Sequence, residues 1–371
     1  MVYNWQQEDW PDFRYALGGL DDALFTFAEE TGRISGMLNA MPEQLQMEAI
    51  VDSMVAEAIK TSAIEGEFFN REDVVSSIKN GLGLNKIHDP VKNKNAQGIG
   101  SLMVNVRSTF AEPLTAQQLF EWHELLMADS NNVLRGAWRT HEEPMQVISG
   151  AMGKEKVHFE APPSDRVPAE MDGFLNWFNT SAPGGNRAIK QASVRSAIAH
   201  LYFESIHPFE DGNGRIGRAI AEKALSQGAG RPILLSLSRT IEADKNAYYS
   251  ALHEASRSNE ITKWITYFSE ITVTAQKQAI ALVDFTIKKT KFFDHFNDRL
   301  SERQLKVIKK MMEAGPEGFE GGMNATKYGS ISKISKATAT RDLQYLSEIK
   351  AIAVLGGGRS TRYYLNLDRI L

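Results

Sequence analysis

The stretch from 207 to 218 reads His-Pro-Phe-Glu-Asp-Gly-Asn-Gly-Arg-Ile-Gly-Arg and combines a histidine, two carboxylates, three glycines and two arginines. His207 has an ordinary pKa close to neutrality, so it can take a proton from an incoming hydroxyl. Arg215 and Arg218 are spaced i, i+3 and project from one side of a helix, where two guanidinium forks can grip successive phosphates. This spacing predicts a site that holds a nucleoside triphosphate and acts on its phosphorus.

Two predicted helices position these groups. One covers 193–205 and the next covers 214–227, so the turn between them lies at a helix N-terminus. Free backbone N–H groups and the positive end of the helix dipole make such a turn a natural phosphate site. Gly212 and Gly214 allow close approach of the backbone and any positive φ that the turn requires. Asp211 is a single carboxylate beside that turn, which is a common arrangement for Mg²⁺ shared with substrate phosphates.

The same stretch also satisfies G-x-G-x-x-G, the pattern of dinucleotide-binding folds, through Gly212, Gly214 and Gly217. That interpretation requires a strand before the glycines, and a helix is predicted there, so we reject it. A helical corner with incidental charges is the remaining structural alternative. A chance match to about eight specified positions in one chain is improbable, which favours the chemical interpretation.

The motif resembles the signature of the Fic (filamentation-induced-by-cAMP) family, whose members usually transfer AMP from ATP to a Ser, Thr or Tyr hydroxyl of a target protein. The resemblance implies a mainly α fold, with a helical core and a β-hairpin flap, over roughly residues 1 to 280. It implies ATP as substrate, His207 as catalytic base, Phe209 packed inward and Mg²⁺ held by Asp211. The motif residues that it implies to contact the nucleotide are Asp211, Gly212, Asn213, Gly214, Arg215, Ile216, Gly217 and Arg218.

Two short runs, 145–150 and 156–160, interrupt the helical pattern and predict a β-hairpin with glycines in its turn. This hairpin resembles the family's flap, which implies that it orients the target segment by main-chain pairing. The flap residues expected to line the nucleotide site are Val147, Ile148, Ser149 and Gly150.

Residues 61 to 66, Thr-Ser-Ala-Ile-Glu-Gly, fit the family's inhibitory pattern S/T-x-x-x-E-G/N, which assigns Thr61, Glu65 and Gly66. The structural alternative is a surface glutamate at a helix C-terminus, with Gly66 in the position after the cap. A glutamate is disfavoured at the negative end of a helix dipole, which weakens that alternative. We therefore predict that Glu65 pairs with Arg218 and occupies the fork meant for the γ-phosphate.

Two adjacent tyrosines, Tyr248 and Tyr249, resemble the family's adenine-side tyrosines. Neighbouring tyrosines on an amphipathic helix are commonly packing residues, so that alternative remains open.

The last unit, 298–371, has a different character and is predicted to be a small α+β domain. A helix over 302–312 precedes a segment, 331–343, that resembles the turn and recognition helix of a winged helix–turn–helix, and 354–365 would form the wing. Between Met323 and Leu371 there are eight Lys or Arg and three Asp or Glu. DNA contact is one interpretation, with phosphates bound by Lys336, Arg341 and Arg359 and bases contacted by Thr338 to Arg341. Formation of a homodimer or docking of a target protein is the alternative.

The remaining expectations concern organisation and class. We predict an N-terminal helical region with the inhibitory motif over 1–100, a catalytic core over 101–280 and the winged unit over 298–371. The chain has 371 residues, a net charge of −4 and no cysteine, which argues against general attraction to nucleic acid or membrane and excludes a cysteine nucleophile. The first twenty residues lack a signal-peptide pattern and no apolar run reaches about 18 residues, so we expect a cytoplasmic protein without a membrane partner.

The leading hypothesis is a self-inhibited, Mg²⁺-dependent protein adenylyltransferase. One alternative is a DNA-binding regulator that uses its Fic unit as a nucleotide sensor, which would need the phosphate site but no base. Another is an enzyme of the same fold that removes AMP or transfers a different phosphate-linked group.

Overall fold

A computed structural model describes residues 2–130, 132–149 and 156–368, without the side chains of Ser149, Lys156 and Arg359. The described residues are mainly helical, as expected, with two small antiparallel β-sheets. Their α-helices are α1 (Asp21–Asn39), α2 (Glu43–Ile64), α3 (Arg71–Gly81), α4 (Lys94–Ser108), α5 (Ala116–Leu126), α6 (Val167–Thr180), α7 (Ala192–Ile206), α8 (Asn213–Ala229), α9 (Leu237–Ala243), α10 (Lys245–Ala255), α11 (Thr262–Phe296), α12 (Glu302–Met312), α13 (Ala325–Ser332) and α14 (Lys336–Glu348). The strands are β1 (Gln146–Ser149), β2 (Lys156–Glu160), β3 (Ile352–Leu355) and β4 (Arg362–Leu365).

The chain divides into two compact units. The first contains Met1–Gly36 and Ile50–Ala279, and the second contains Met37–Ala49 and Ile280–Leu371. The predicted N-terminal region and catalytic core therefore fall largely in one unit, and a short segment of the N-terminal region belongs with the C-terminal residues.

Helix α7 lies at the centre of the first unit. Every residue from Ser193 to Ile206 except Glu204 is buried, because most of the sequence is apolar or small on all sides of the helix. Its buried Arg195 is satisfied by Ser181 Oγ at 3.0 Å and the carbonyl of Phe178 at 2.7 Å. Helix α8 packs directly on α7. A side chain at Gly228 would overlap Ala192, so small residues at this crossing allow the two backbones to approach.

Strands β1 and β2 form the predicted hairpin. Val147 pairs with Phe159 and Ile148 with Val157, with one irregularity between these pairs. Phe159 is buried and its ring lies 5.0 Å from that of Tyr3, edge to face. The turn predicted around Gly150 and Gly153 lies outside the described residues.

The C-terminal part of the second unit has three helices followed by a two-stranded hairpin. Helix α12 has the bounds predicted from the sequence. Lys333, at φ 56°, ends α13, and Ser335 caps the N-terminus of α14. Asp342 joins all three helices, because it accepts hydrogen bonds from Arg303 at 2.7 and 2.9 Å and from the Tyr328 hydroxyl at 3.1 Å. Within the part of the chain that the structure describes, no helix is long and apolar enough to cross a membrane.

Candidate functional site

His207 is the residue after α7, and its backbone adopts the left-handed conformation, φ 51° and ψ 59°. Its N–H donates to the carbonyl of Phe203 at 3.0 Å. Its own carbonyl accepts from Arg139 Nε at 2.9 Å, and the same guanidinium reaches Ser164 Oγ at 2.8 Å. The main chain of the candidate base is therefore held from both sides. Arg139 could not be recognised from the sequence, because it lies 68 residues before His207 and only the tertiary fold brings the two residues together.

The environment of His207 favours its neutral form. Burial, followed by the nearby charge of Arg139, lowers the pKa of this histidine to about 4. At neutral pH the ring is therefore free to accept a proton. Its Nδ1 lies 3.7 Å from Glu204 Oε2, one turn earlier on α7.

Glu204 is the only carboxylate on α7, and sequence reasoning missed it. Burial raises its pKa to about 8, with Arg218 opposing and Glu65 adding to the shift. Its Oε1 has no hydrogen-bond partner among the described residues. An acidic residue on an otherwise apolar and small helix face was the available signal, because such a residue is rarely buried without a function.

The loop after His207 is fixed by side chains of its own. Asn213 accepts from the N–H of Phe209 at 2.9 Å and donates to its carbonyl at 2.8 Å. The Phe209 ring is fully buried, as predicted, and stacks on His123 with centroids 4.1 Å apart. His123 Nε2 in turn lies 3.2 Å from the carbonyl of Asp211. The amide of Asn213 thus uses its oxygen and one N–H to hold the loop.

The glycines of the motif lie close to neighbouring side chains. Gly212 has φ 80°, and a Cβ there would lie 2.8 Å from Met127 Cε. A Cβ on Gly214 would collide with Glu65 Oε1, so a carboxylate already approaches the backbone where a phosphate is expected. Gly217 serves packing, because a side chain would strike Glu204. Ile216 is buried in the apolar core, which leaves its backbone alone for the nucleotide.

Arg218 is held by the segment from Thr61 to Gly66. Its Nε donates to Thr61 Oγ1 at 2.7 Å, and its Nη2 donates to the Thr61 carbonyl at 3.0 Å and to Glu65 Oε1 at 2.7 Å. The Arg218 side chain is only 2% exposed. Burial alone would lower the pKa of this guanidinium, but Glu65, Tyr248 and Glu204 together outweigh burial, and the pKa lies above its ordinary value. The structure therefore brings together Glu65 and Arg218 as predicted.

Arg215 has an acidic partner that the sequence interpretation did not include. Its Nη1 lies 2.6 Å from Glu67 Oε2, and its Nη2 lies 3.5 Å from Asp211 Oδ1. The Arg215 side chain is 3% exposed, and its Nε has no hydrogen-bond partner among the described residues. A second carboxylate two positions after Glu65 was the signal available in the sequence.

Asp211 is suited to hold a cation together with a ligand. Its side chain is 59% exposed, and only Oδ1 is in use, accepting from the N–H of Gly212 at 2.5 Å. Among the described residues, no three His, Asp or Glu side chains gather into a metal site. The donors present fit Mg²⁺ bound by one carboxylate and substrate phosphates rather than a cation enclosed by protein.

The two tyrosines have different environments. Tyr248 is fully buried and its hydroxyl lies 2.7 Å from His200 Nε2, so the packing alternative describes it. Tyr249 is 43% exposed, and burial followed by the Glu65 carboxylate raises its pKa to about 12. Tyr249 is thus the one of the pair with exposed ring surface.

The flap residues predicted to line the site also have different environments. Val147 packs against the cluster around Phe159, whereas Ile148 is exposed. Ser149 ends β1, and its side chain is not described. Gly150 lies outside the described residues.

Two segments of the chain match models of known protein families. Residues 113–225 match the family model Fic/DOC family, and residues 3–84 match a model described as Domain of unknown function (DUF4172). The chain therefore contains a Fic domain, which includes the 207–218 motif.

Curated relatives and a solved structure agree with that assignment. A probable protein adenylyltransferase of Aquifex aeolicus is 33% identical over 33% of this chain and 34% of its own length. The protein adenylyltransferase Fic of Nematostella vectensis is 24% identical over 47% of this chain and 37% of its own length. The matched stretch thus spans about a third of these relatives. A Fic family protein from Desulfovibrio desulfuricans covers 96% of this chain and 98% of its own, with a TM-score of 0.52 and 22% identity, which shows a shared fold.

Proposed function

We propose that this protein transfers AMP from ATP to a Ser, Thr or Tyr hydroxyl of a target protein. The observation that carries the proposal is a neutral histidine, 14% exposed, at the end of α7, followed in the chain by two arginines on the first turns of α8. The names of the two curated relatives support the same reaction. A nucleotide sensor would need the phosphate contacts but no base held from both sides.

The geometry supports an in-line transfer. The target hydroxyl gives its proton to His207, and its oxygen forms a bond to the α-phosphorus. The bond from that phosphorus to the bridging oxygen breaks, and pyrophosphate leaves. Arg215 and Arg218 stabilise the phosphate charges, helped by the N–H groups at the start of α8. Asp211 would hold Mg²⁺, which supplies further charge neutralisation when bound.

The hairpin of β1 and β2 is proposed to orient the target. An exposed strand edge binds an extended segment through main-chain hydrogen bonds, which do not depend on the sequence of that segment. Exposed Ile148 and Val157 would add apolar contacts.

Glu65 is proposed to inhibit this reaction. It occupies a donor of Arg218 that would otherwise bind a phosphate, so ATP and Glu65 compete for one guanidinium. The same carboxylate suggests removal of AMP as a second activity of the site. Incubation of an AMP-modified target with this protein would test that activity, and release of free AMP would be the expected result.

Intact mass spectrometry tests the proposal. Wild type, Glu65→Gly and Glu65→Gly/His207→Ala are incubated with ATP and Mg²⁺, alone and with candidate targets. We expect addition of AMP by Glu65→Gly, little by wild type and none by the double variant. Equal transfer by wild type and Glu65→Gly would refute self-inhibition, and undiminished transfer without His207 would refute its role as base.

DNA contact is a second proposal, confined to the C-terminal unit. Lys336 and Arg341 are exposed on α14, while Asp342 on the same helix is buried. A gel-shift titration of the full chain at two salt concentrations tests it, because phosphate contacts weaken steeply with salt. Absence of binding would leave dimerisation or target docking as the use of this unit.

A further inference from the structure

The segment after α2 carries two carboxylates, and its backbone fixes both. Gly66, at φ 84°, follows the end of the helix, and its N–H donates to the carbonyl of Ala63. The N–H of Glu67 donates to the carbonyl of Ser62 at 2.9 Å. These two bonds form a Schellman cap, so Glu65 and Glu67 are held on either side of one left-handed glycine.

Each carboxylate contacts a different arginine of the motif. Glu65 lies 2.7 Å from Arg218, and Glu67 lies 2.6 Å from Arg215. Both guanidinium groups are almost fully buried, whereas the two carboxylates are about one third exposed, 30% and 34%. The arginines therefore belong to the preformed site, and the carboxylates enter it from the solvent side.

We propose that Glu67 is a second inhibitory carboxylate, and that Glu65, Gly66 and Glu67 together form a plug that imitates two phosphates. The inference rests on the proposed function, because it assumes that both arginines bind the triphosphate. The pattern that identifies Glu65 contains no position for Glu67. Removal of Glu65 alone leaves Arg215 engaged, so it opens only half of the site.

If the plug blocks both arginines, removal of its two carboxylates one at a time should raise the affinity for nucleotide in steps. Glu67→Gln keeps the shape of the side chain and removes its charge, so nucleotide should bind Arg215 more readily. We expect the dissociation constant of ATP to fall by about three- to tenfold in Glu67→Gln, the range for loss of one competing hydrogen bond whose carboxylate is a third exposed and therefore screened by solvent. The double variant Glu65→Gly/Glu67→Gln should bind more tightly than Glu65→Gly by a similar factor.

Isothermal titration with a non-hydrolysable ATP analogue and Mg²⁺ measures this without any transfer reaction. The four proteins are wild type, Glu65→Gly, Glu67→Gln and the double variant. Glu72→Gln is the matched control. Glu72 is exposed and lies five residues after Glu67, and this substitution removes the same charge. Thermal unfolding and Glu67→Ala check that the effect does not arise from misfolding or from hydrogen bonding by the introduced amide.

The outcomes separate the two proposals. Equal affinity of wild type and Glu67→Gln, together with equal affinity of Glu65→Gly and the double variant, would overturn the role of Glu67. A comparable gain in ATP affinity in Glu72→Gln would show a general charge effect and would also overturn the role of Glu67. The predicted order of affinities without AMP transfer in any variant would uphold the plug and refute the proposed reaction.

Discussion

At the scale of single residues, the site depends on ionisable groups whose pKa values burial has moved. His207 is kept neutral and Glu204 is kept protonated, because each would otherwise bury a charge. The motif predicted the histidine, but its neutrality comes from burial and then from the charge of Arg139. Sequence patterns do not report such surroundings, which explains why Glu204 and Arg139 were missed.

The low pKa of His207 predicts a flat pH profile. A base with a folded-state pKa near 4 is active above that value and loses activity only as pH falls through it. We expect kcat/KM of Glu65→Gly for AMP transfer to change little between about pH 8 and pH 5.5. A loss centred near the ordinary histidine pKa of about 6.5 would contradict this environment.

Glu204 predicts a pH-dependent stability difference. Its folded-state pKa of about 8 lies above the unfolded value, so its stabilising effect as a neutral group is lost as pH rises through 8. Wild type must bury a charge at pH 9, whereas Glu204→Gln remains neutral. The variant should therefore gain on the order of 2 kcal/mol relative to wild type between pH 6 and pH 9, measured by urea unfolding. A constant difference across this range would show that Glu204 does not titrate in it.

At the scale of elements, helix ends account for most of the site. The bounds of α12 and the helix–turn–helix around the motif were predictable, because apolar periodicity and glycines mark them locally. The cap at Gly66 was an alternative to pairing of Glu65 with Arg218, and the structure contains both the cap and the ion pair. Asn213 was assigned to phosphate, yet its side chain holds Phe209, because side-chain orientation within a loop depends on bonds that spacing does not reveal.

Gly66 offers a test of this element. A Cβ at this position meets no atom within 4 Å, so Gly66→Ala adds only the strain of a left-handed backbone. We expect a loss of about 1 kcal/mol in stability, and higher basal AMP transfer as the capped turn loosens. Gly83→Ala is a matched control, since Gly83 has φ 69° and open space but lies away from the plug. Raised transfer in both variants would indicate a non-specific effect.

At the scale of the whole molecule, the division into units was only partly predictable. The mainly helical class and the hairpin follow from local pattern. The assignment of Met37–Ala49 to the same unit as the C-terminal residues does not, because it depends on contacts such as that between Glu48 and Lys289, 241 residues apart. Tertiary contacts of this range leave no periodic signal in either segment.

Ligand linkage gives a prediction at this scale. A ligand that binds only the folded state raises its stability with occupancy, and an open site is occupied at lower concentration. At about millimolar ATP with Mg²⁺, we expect a larger rise in Tm for Glu65→Gly than for wild type, by roughly a few degrees. Scanning fluorimetry measures both, with Glu72→Gln expected to match wild type.

The proposed reaction requires attack on the α-phosphorus of ATP, and parallel reactions with differently labelled ATP show which phosphorus is attacked. Glu65→Gly is incubated with its target and ATP labelled at either the α- or the γ-phosphate, with Glu65→Gly/His207→Ala as control. The account predicts protein-bound label from α-labelled ATP only, dependent on His207. Label retained from the γ-phosphate, or none from either, would contradict it.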